Sequence, residues 1–146
     1  MNTPGGDPIE ILLVEDNPGD VELTERSLRA GEFSNHLTVA ASGADALAHL
    51  RRATGVAVSR TRLILLDLYL PDMSGFDLLV TLRADPRLRR IPVVVLTSSE
   101  TEADVVRSYD LQASGYVTKP FDPADFARAA LGVEHYWHSI VRLPPP

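Results

Sequence analysis

The chain contains no cysteine, which excludes disulfides, thiolate metal sites and cysteine nucleophiles. No apolar run approaches the roughly 18 residues that cross a bilayer. The first residues, Met1-Asn2-Thr3-Pro4-Gly5-Gly6-Asp7, have neither a basic start nor an apolar core, so no secretory leader is read there. A block of basic residues is also missing. The densest group is Arg83, Arg87, Arg89 and Arg90, which reads as a solvated helix end and loop. With 14 basic against 20 acidic residues the formal charge is -6, which disfavours non-specific nucleic-acid binding. No repeat and no linker interrupts the sequence. The expectation is a cytoplasmic globular protein without membrane attachment or direct DNA binding.

What remains is a single domain of 146 residues, 45% hydrophobic and 23% charged, long enough to bury a substantial core. The domain is expected over residues 7–143, with flexible ends at 1–6 and 144–146. Short apolar runs alternate with helical patterns from start to finish, which predicts an α/β fold: a doubly wound parallel sheet covered on both faces. Strands are expected at Ile9 to Val14, Leu37 to Ala41, Leu63 to Leu66, Ile91 to Leu96 and Gly115 to Thr118. Asn17-Pro18 reads as a helix cap with proline in the first turn, opening a helix with Val21, Thr24 and Leu28 on one side. A second helix places Ala44, Leu47 and Leu50 together, and a third turns Phe76, Leu79 and Val80 inward. A fourth spans about Glu100 to Leu111. A fifth runs from about Pro123 to Val141, with Phe126, Ala130, Val133, Trp137 and Ile140 on one stripe.

The apolar runs end on polar residues. The first leads into Glu15-Asp16, the third into Asp67, the fourth into Thr97 and the fifth into Lys119-Pro120. In an open parallel sheet, ligands bind beyond the carboxyl ends of the strands, so these residues meet at one edge. Three acids there repel one another and offer hard oxygen ligands, which suits magnesium. A carboxylate can act as a nucleophile toward phosphorus, with Lys119 as a point charge and Thr97 as a hydrogen-bond donor. Taken alone, Asp16 is ordinarily a cap or turn residue, Thr97 a helix N-cap and Lys119 a solvated lysine. Their joint placement at successive strand ends argues for a site.

These residues resemble a response-regulator receiver domain over essentially Ile9 to Val141. The matching stretches are Leu13-Val14-Glu15-Asp16-Asn17, Leu65 to Gly75 through Asp67, Val95-Leu96-Thr97-Ser98 and Lys119-Pro120-Phe121. The resemblance implies a flavodoxin-like sheet of strand order 2-1-3-4-5 with five helices. It implies Asp67 as the phospho-acceptor, served by a phosphohistidine of a sensor histidine kinase. It further implies Mg2+ on Glu15, Asp16, Asp67 and the Tyr69 main-chain carbonyl, with Thr97 and Lys119 on the phosphoryl oxygens. The Lys119-Pro120 bond is expected cis. Tyr116 occupies the place of an aromatic switch residue that moves with Thr97 and reshapes the surface of helix 4, strand 5 and helix 5. Tyr69 and Ser99 stand at positions that tune loss of the phosphoryl group, and neither suits an attacking water, so slow self-dephosphorylation is expected.

Asn17-Pro18-Gly19-Asp20, Ser108-Tyr109-Asp110-Leu111 and His135-Tyr136-Trp137 to Leu143-Pro144 resemble the single-domain regulators that partner bacterial phytochromes. That likeness implies a phytochrome-type kinase, no output domain and a homodimer through the C-terminal helices. Tyr136 and Trp137 cannot both face a core, so one is expected at an interface. Beyond self-phosphorylation and self-dephosphorylation no enzymatic activity is expected. An aspartate-nucleophile phosphatase would place a second acid where Tyr69 stands. A flavodoxin-like cofactor binder would need a glycine- or hydroxyl-rich phosphate loop after the first strand, where this chain has Glu15-Asp16-Asn17-Pro18.

Overall fold

Parallel strands buried on both faces need apolar side chains, and the inner strands of this chain, Leu63–Leu66, Val93–Thr97 and most of Ile9–Val14, are built that way. The computed structural model describes residues 9–29, 35–53, 61–98 and 101–119. In chain order the elements are β1 (Ile9–Val14), α1 (Pro18–Arg29), β2 (Asn35–Ala40), α2 (Gly43–Ala53), β3 (Leu63–Leu66), α3 (Gly75–Ala84), β4 (Val93–Thr97), α4 (Glu102–Asp110) and β5 (Gly115–Thr118). The strands form one parallel sheet in the order β2-β1-β3-β4-β5. This is the expected order, and it reverses between β1 and β3. The fifth expected helix, with Phe126, Ala130, Val133, Tyr136, Trp137 and Ile140, lies outside the described residues, as do Ser99, Pro120 and both chain ends.

Alternation along each strand sorts the core into two layers. Leu12, Val14, Ile64, Leu66, Val93 and Val95 pack with Ala46 and Leu50 of α2 and with Phe76, Leu79 and Leu82 of α3. On the other face Ile11, Leu13, Leu63, Leu65, Val94 and Leu96 pack with Leu28 of α1. All four residues of β3 are buried, and each such leucine or isoleucine contributes roughly 1.5–3 kcal/mol relative to exposure. The sheet is therefore rigid where β1, β3 and β4 end, which is where the polar residues emerge.

Each described helix begins on a side chain that accepts from at least one of its free N–H groups. Asn17 Oδ1 accepts from the Asp20 N–H at 3.1 Å, Ser74 caps α3 and Thr101 caps α4. The start of α2 uses two sources. Ser42 Oγ accepts from the Asp45 N–H at 3.1 Å, and the Asp72 carboxylate accepts from the Gly43 and Ala44 N–H groups, each at 2.9 Å. Asp72 belongs to the loop after β3, so that loop is fastened to α2.

Two expectations are corrected. Val80 does not face inward: it is 49% exposed, while Leu78 and Leu82 are buried with Leu79. Helix α3 is apolar at Phe76, Leu78, Leu79, Val80 and Leu82, so its sequence defines no single stripe and packing selects one. Nor is Arg83 a merely solvated charge. Its guanidinium donates to the carbonyls of Arg89 at 2.9 Å, Ile91 at 2.8 Å and Gln112 at 3.0 Å, and burial pulls its pKa below the ordinary arginine value. Gln112 has a φ of 69°, a left-handed conformation that non-glycine residues adopt rarely, and Arg83 braces that turn.

Candidate functional site

The carboxyl ends of β1 and β3 lie side by side because Leu13 pairs with Leu65 and Val14 with Leu66. The next residues are Glu15 and Asp67. Their backbones are held by bonds to neighbouring strands, Glu15 N–H to the Ala40 carbonyl at 2.9 Å and Asp67 N–H to the Val14 carbonyl at 3.0 Å. Glu15 and Asp67 are buried and Asp16 is exposed. One carboxylate oxygen from each of Glu15, Asp16 and Asp67 lies within 4.8 Å of the others. Burial, and next the charge of Glu15, push the Asp67 carboxyl up to about 7 against the pull of Lys119.

Lys119 follows β5 and reaches the same cluster. Its N–H donates to the Thr97 carbonyl at 2.7 Å, and its side chain is only 11% exposed. The ammonium Nζ donates to Glu15 Oε1 and, at 2.9 Å, to Asp20 Oδ2, with Asp67 Oδ2 at 3.9 Å. Burial opposes its charge, but the hydrogen bonds it donates to Glu15 and Asp20 and the field of Asp67 win, and its pKa is raised.

Thr97 is the buried last residue of β4. Tyr116 pairs with Val95, two residues before Thr97. Val95 and Tyr116 pack into the same core layer, so the period-two rule puts Thr97 on that face as well. Tyr116 is half-buried, one diagonal step from the Thr97 side chain. The loop after Asp67 doubles back: Tyr69 bridges Ser74 and the Gly75 N–H donates to the Leu68 carbonyl at 2.8 Å. The Tyr69 N–H points to Asp67 Oδ1 at 3.4 Å, while its exposed phenol reaches Asp104 Oδ2 of α4, also at 3.4 Å. Nearby, the Arg107 guanidinium carbon lies 4.2 Å from the Phe76 ring centroid.

Two ordinary readings of single residues fail here. The cap of α4 is Thr101 and not Thr97, and Lys119 is largely enclosed among acids; α1 is capped by Asn17, which leaves Asp16 exposed in the turn before it. Sequence reasoning missed Asp20 as a member of the site. The signal was its place as third residue of a helix that begins beside the strand ends, close to any lysine arriving from β5. The donor set also fits a hard divalent cation. Three carboxylates and no histidine or cysteine suit Mg2+ or Mn2+, and a cation there would neutralise the charge that Glu15 and Asp16 bring beside the buried Asp67.

The sequence of residues 11–131 matches the response regulator receiver domain family. The chain belongs to that family. Over 145 residues this receiver is 38% identical to response regulator Rcp1 of Synechocystis sp., covering 99% of each chain. It is similar to the crystal structure of the phosphorylated cyanobacterial phytochrome response regulator RcpA, with 37% identity, a TM-score of 0.76 and coverage of 95% of this chain and 100% of that one. The Mn2+-bound form of Rcp1 is comparable, with 37% identity, a TM-score of 0.75 and coverage of 94% and 100%. The chain is thus a two-component receiver related to phytochrome response regulators, and such receivers are phospho-acceptors. No described helix is long and apolar enough to cross a membrane.

Proposed function

We propose that this receiver is a phosphorylation-operated switch in which Asp67 accepts a phosphoryl group from a phosphohistidine of a phytochrome-type sensor histidine kinase. The observation that carries this reading is the burial of Asp67 within ligand reach of Glu15 and Asp16, with the Lys119 ammonium alongside. In the transfer a carboxylate oxygen of Asp67 forms the O–P bond as the P–N bond of the donor breaks. The electron pair returns to the imidazole, which takes up a proton. Glu15, Asp16, Asp67 and the Tyr69 main-chain carbonyl would hold Mg2+, which when bound neutralises charge on the phosphoryl oxygens.

Thr97 donates its hydroxyl to the phosphoryl group and Lys119 its ammonium. Tyr116 then turns toward the space that Thr97 leaves, and the surface around α4, β5 and the last helix is reshaped. The half-buried place of Tyr116 beside Thr97 supports this step. A cis Lys119-Pro120 bond, tuning of the phosphoryl lifetime by Tyr69 and Ser99, and a homodimer that uses Tyr136 or Trp137 complete the proposal. The cytoplasm is the compartment where such a kinase domain acts.

The test is incubation with Mg2+ and acetyl phosphate, read by mass spectrometry. One added phosphoryl group is expected, and Asp67→Asn should abolish it. Labelling that survives the substitution overturns the assignment. Phosphoryl transfer back to a panel of histidine kinases identifies the partner, with a phytochrome-type kinase expected to react fastest.

A further inference from the structure

We propose that Asp20 is a positioning residue for the phosphoryl acceptor, holding the Lys119 ammonium away from Asp67 until a phosphoryl group is present. This rests on the reading of Asp67 as acceptor given above. Asp20 is the third residue of α1. Its N–H donates to Asn17 Oδ1 at 3.1 Å and its carbonyl accepts from the Thr24 hydroxyl at 2.8 Å. Both ends of the residue are fixed, and the N-terminus of α1 favours its negative charge.

The backbone that carries the Asp20 carboxylate is therefore held in place, and the carboxylate accepts a Lys119 N–H at 2.9 Å. Glu15 accepts another. An ammonium has three N–H groups, and two are engaged on this side. The nearest Asp67 oxygen, at 3.9 Å, is reached by the field of the charge and not by a hydrogen bond. Asp20 is not among the three carboxylates that converge as a possible cation site; it faces the lysine. A phosphoryl group on Asp67 would present oxygens of higher charge within a short swing of Nζ. Lys119 would exchange Asp20 for them, and the first turn of α1 would lose its tie to β5.

The plain alternative is a first-turn acid that serves only the helix dipole and a structural ion pair. The two readings differ in sign. If Asp20 restrains Lys119, removing its charge lets the ammonium approach Asp67 and speeds phosphoryl uptake. If the pair is only structural, removing it weakens the fold and brings no gain in uptake.

The experiment compares wild-type chain, Asp20→Asn and Asp20→Ala at saturating Mg2+ with acetyl phosphate as donor. The initial rate of labelling at Asp67 is followed by mass spectrometry and the urea midpoint is measured in parallel. Labelling is expected to rise roughly fivefold in Asp20→Asn, the effect of losing one charge-assisted bond at a part-exposed acid, and further in Asp20→Ala. The midpoint should hold or fall slightly. An unchanged or slower rate in both variants, with wild type labelled on Asp67, overturns the inference and leaves the acceptor assignment intact. A wild-type chain that takes up no label from acetyl phosphate removes both.

Discussion

The α-carbon of Gly75 lies so close to Asp67 that a methyl group on it would come within 2.5 Å of the Asp67 main-chain oxygen and 2.7 Å of the Leu68 α-carbon. Backbone, not a flexible side chain, fills that space. Gly75→Ala should therefore cost about 1–3 kcal/mol, the usual range for overpacking, measured by urea unfolding. The displaced carbonyl belongs to the proposed acceptor, so labelling by acetyl phosphate should fall as well. A variant with wild-type stability would show that the loop has room to shift.

Metal affinity should depend on pH through Asp67. Its carboxyl rises from 3.8 to about 7 on folding without metal, so the folded chain binds a proton that the unfolded chain releases. This group therefore destabilises metal-free protein as pH rises from about 4 to about 7, and its penalty is complete above that. A cation must displace the same proton, so calorimetric Mg2+ affinity should increase up to about pH 7 and then level off. Asp67→Asn should raise metal-free stability near pH 8 by roughly 1–3 kcal/mol. A flat affinity between about pH 5 and about pH 8 would sink the prediction.

Asp72 should matter for stability despite its exposure. The Gly43 and Ala44 N–H groups hold its carboxyl below the usual range. The stabilisation is present above the unfolded pKa and is lost as pH falls through the lower folded value. Asp72→Ala should reduce the thermal midpoint at neutral pH, and the difference from wild type should shrink in acid. Since Asp72 also fastens the loop that follows Asp67 to α2, hydrogen exchange in residues 68–75 should quicken.

Arg83 should tolerate little. Replacement by methionine leaves the carbonyls of Arg89, Ile91 and Gln112 without their donor, at a cost of roughly 2–4 kcal/mol in chemical denaturation. Arg83→Lys should recover less than half, because one ammonium cannot span three carbonyls in the fork geometry of a guanidinium. Equal stability of the lysine variant would contradict the bracing role.

The sheet was legible because its inner strands are short, largely apolar runs set between helical patterns. The polar ends of β1, β3, β4 and β5 followed from the same alternation, which is why Glu15, Asp67, Thr97 and Lys119 could be named together. Asp20 escaped because its role depends on where a side chain arriving 99 residues later in the chain comes to rest. Its place in the first turn of α1 is the one local hint, and that hint names no partner. Val80 was misplaced because a helix with large apolar side chains at five of its ten positions carries no directional signal. Arg83 was read as surface because charge runs usually are, while its partners are main-chain carbonyls that composition cannot reveal.

Thr97 pairs with Thr118, and the Lys119 N–H is bonded to the Thr97 carbonyl. The hydroxyl and the ammonium proposed to meet the phosphoryl group are thus mounted on one stiff hinge plate, and neither backbone can be displaced without dragging the other. The main-chain alignment of Thr97 and Lys119 is settled during folding, so a ligand arriving there spends little on ordering the backbone at that end of the sheet and moves only side chains. Anyone transplanting this site into another scaffold would have to carry the β4–β5 seam with it, since copying the side chains alone would leave two detectors free to drift out of register.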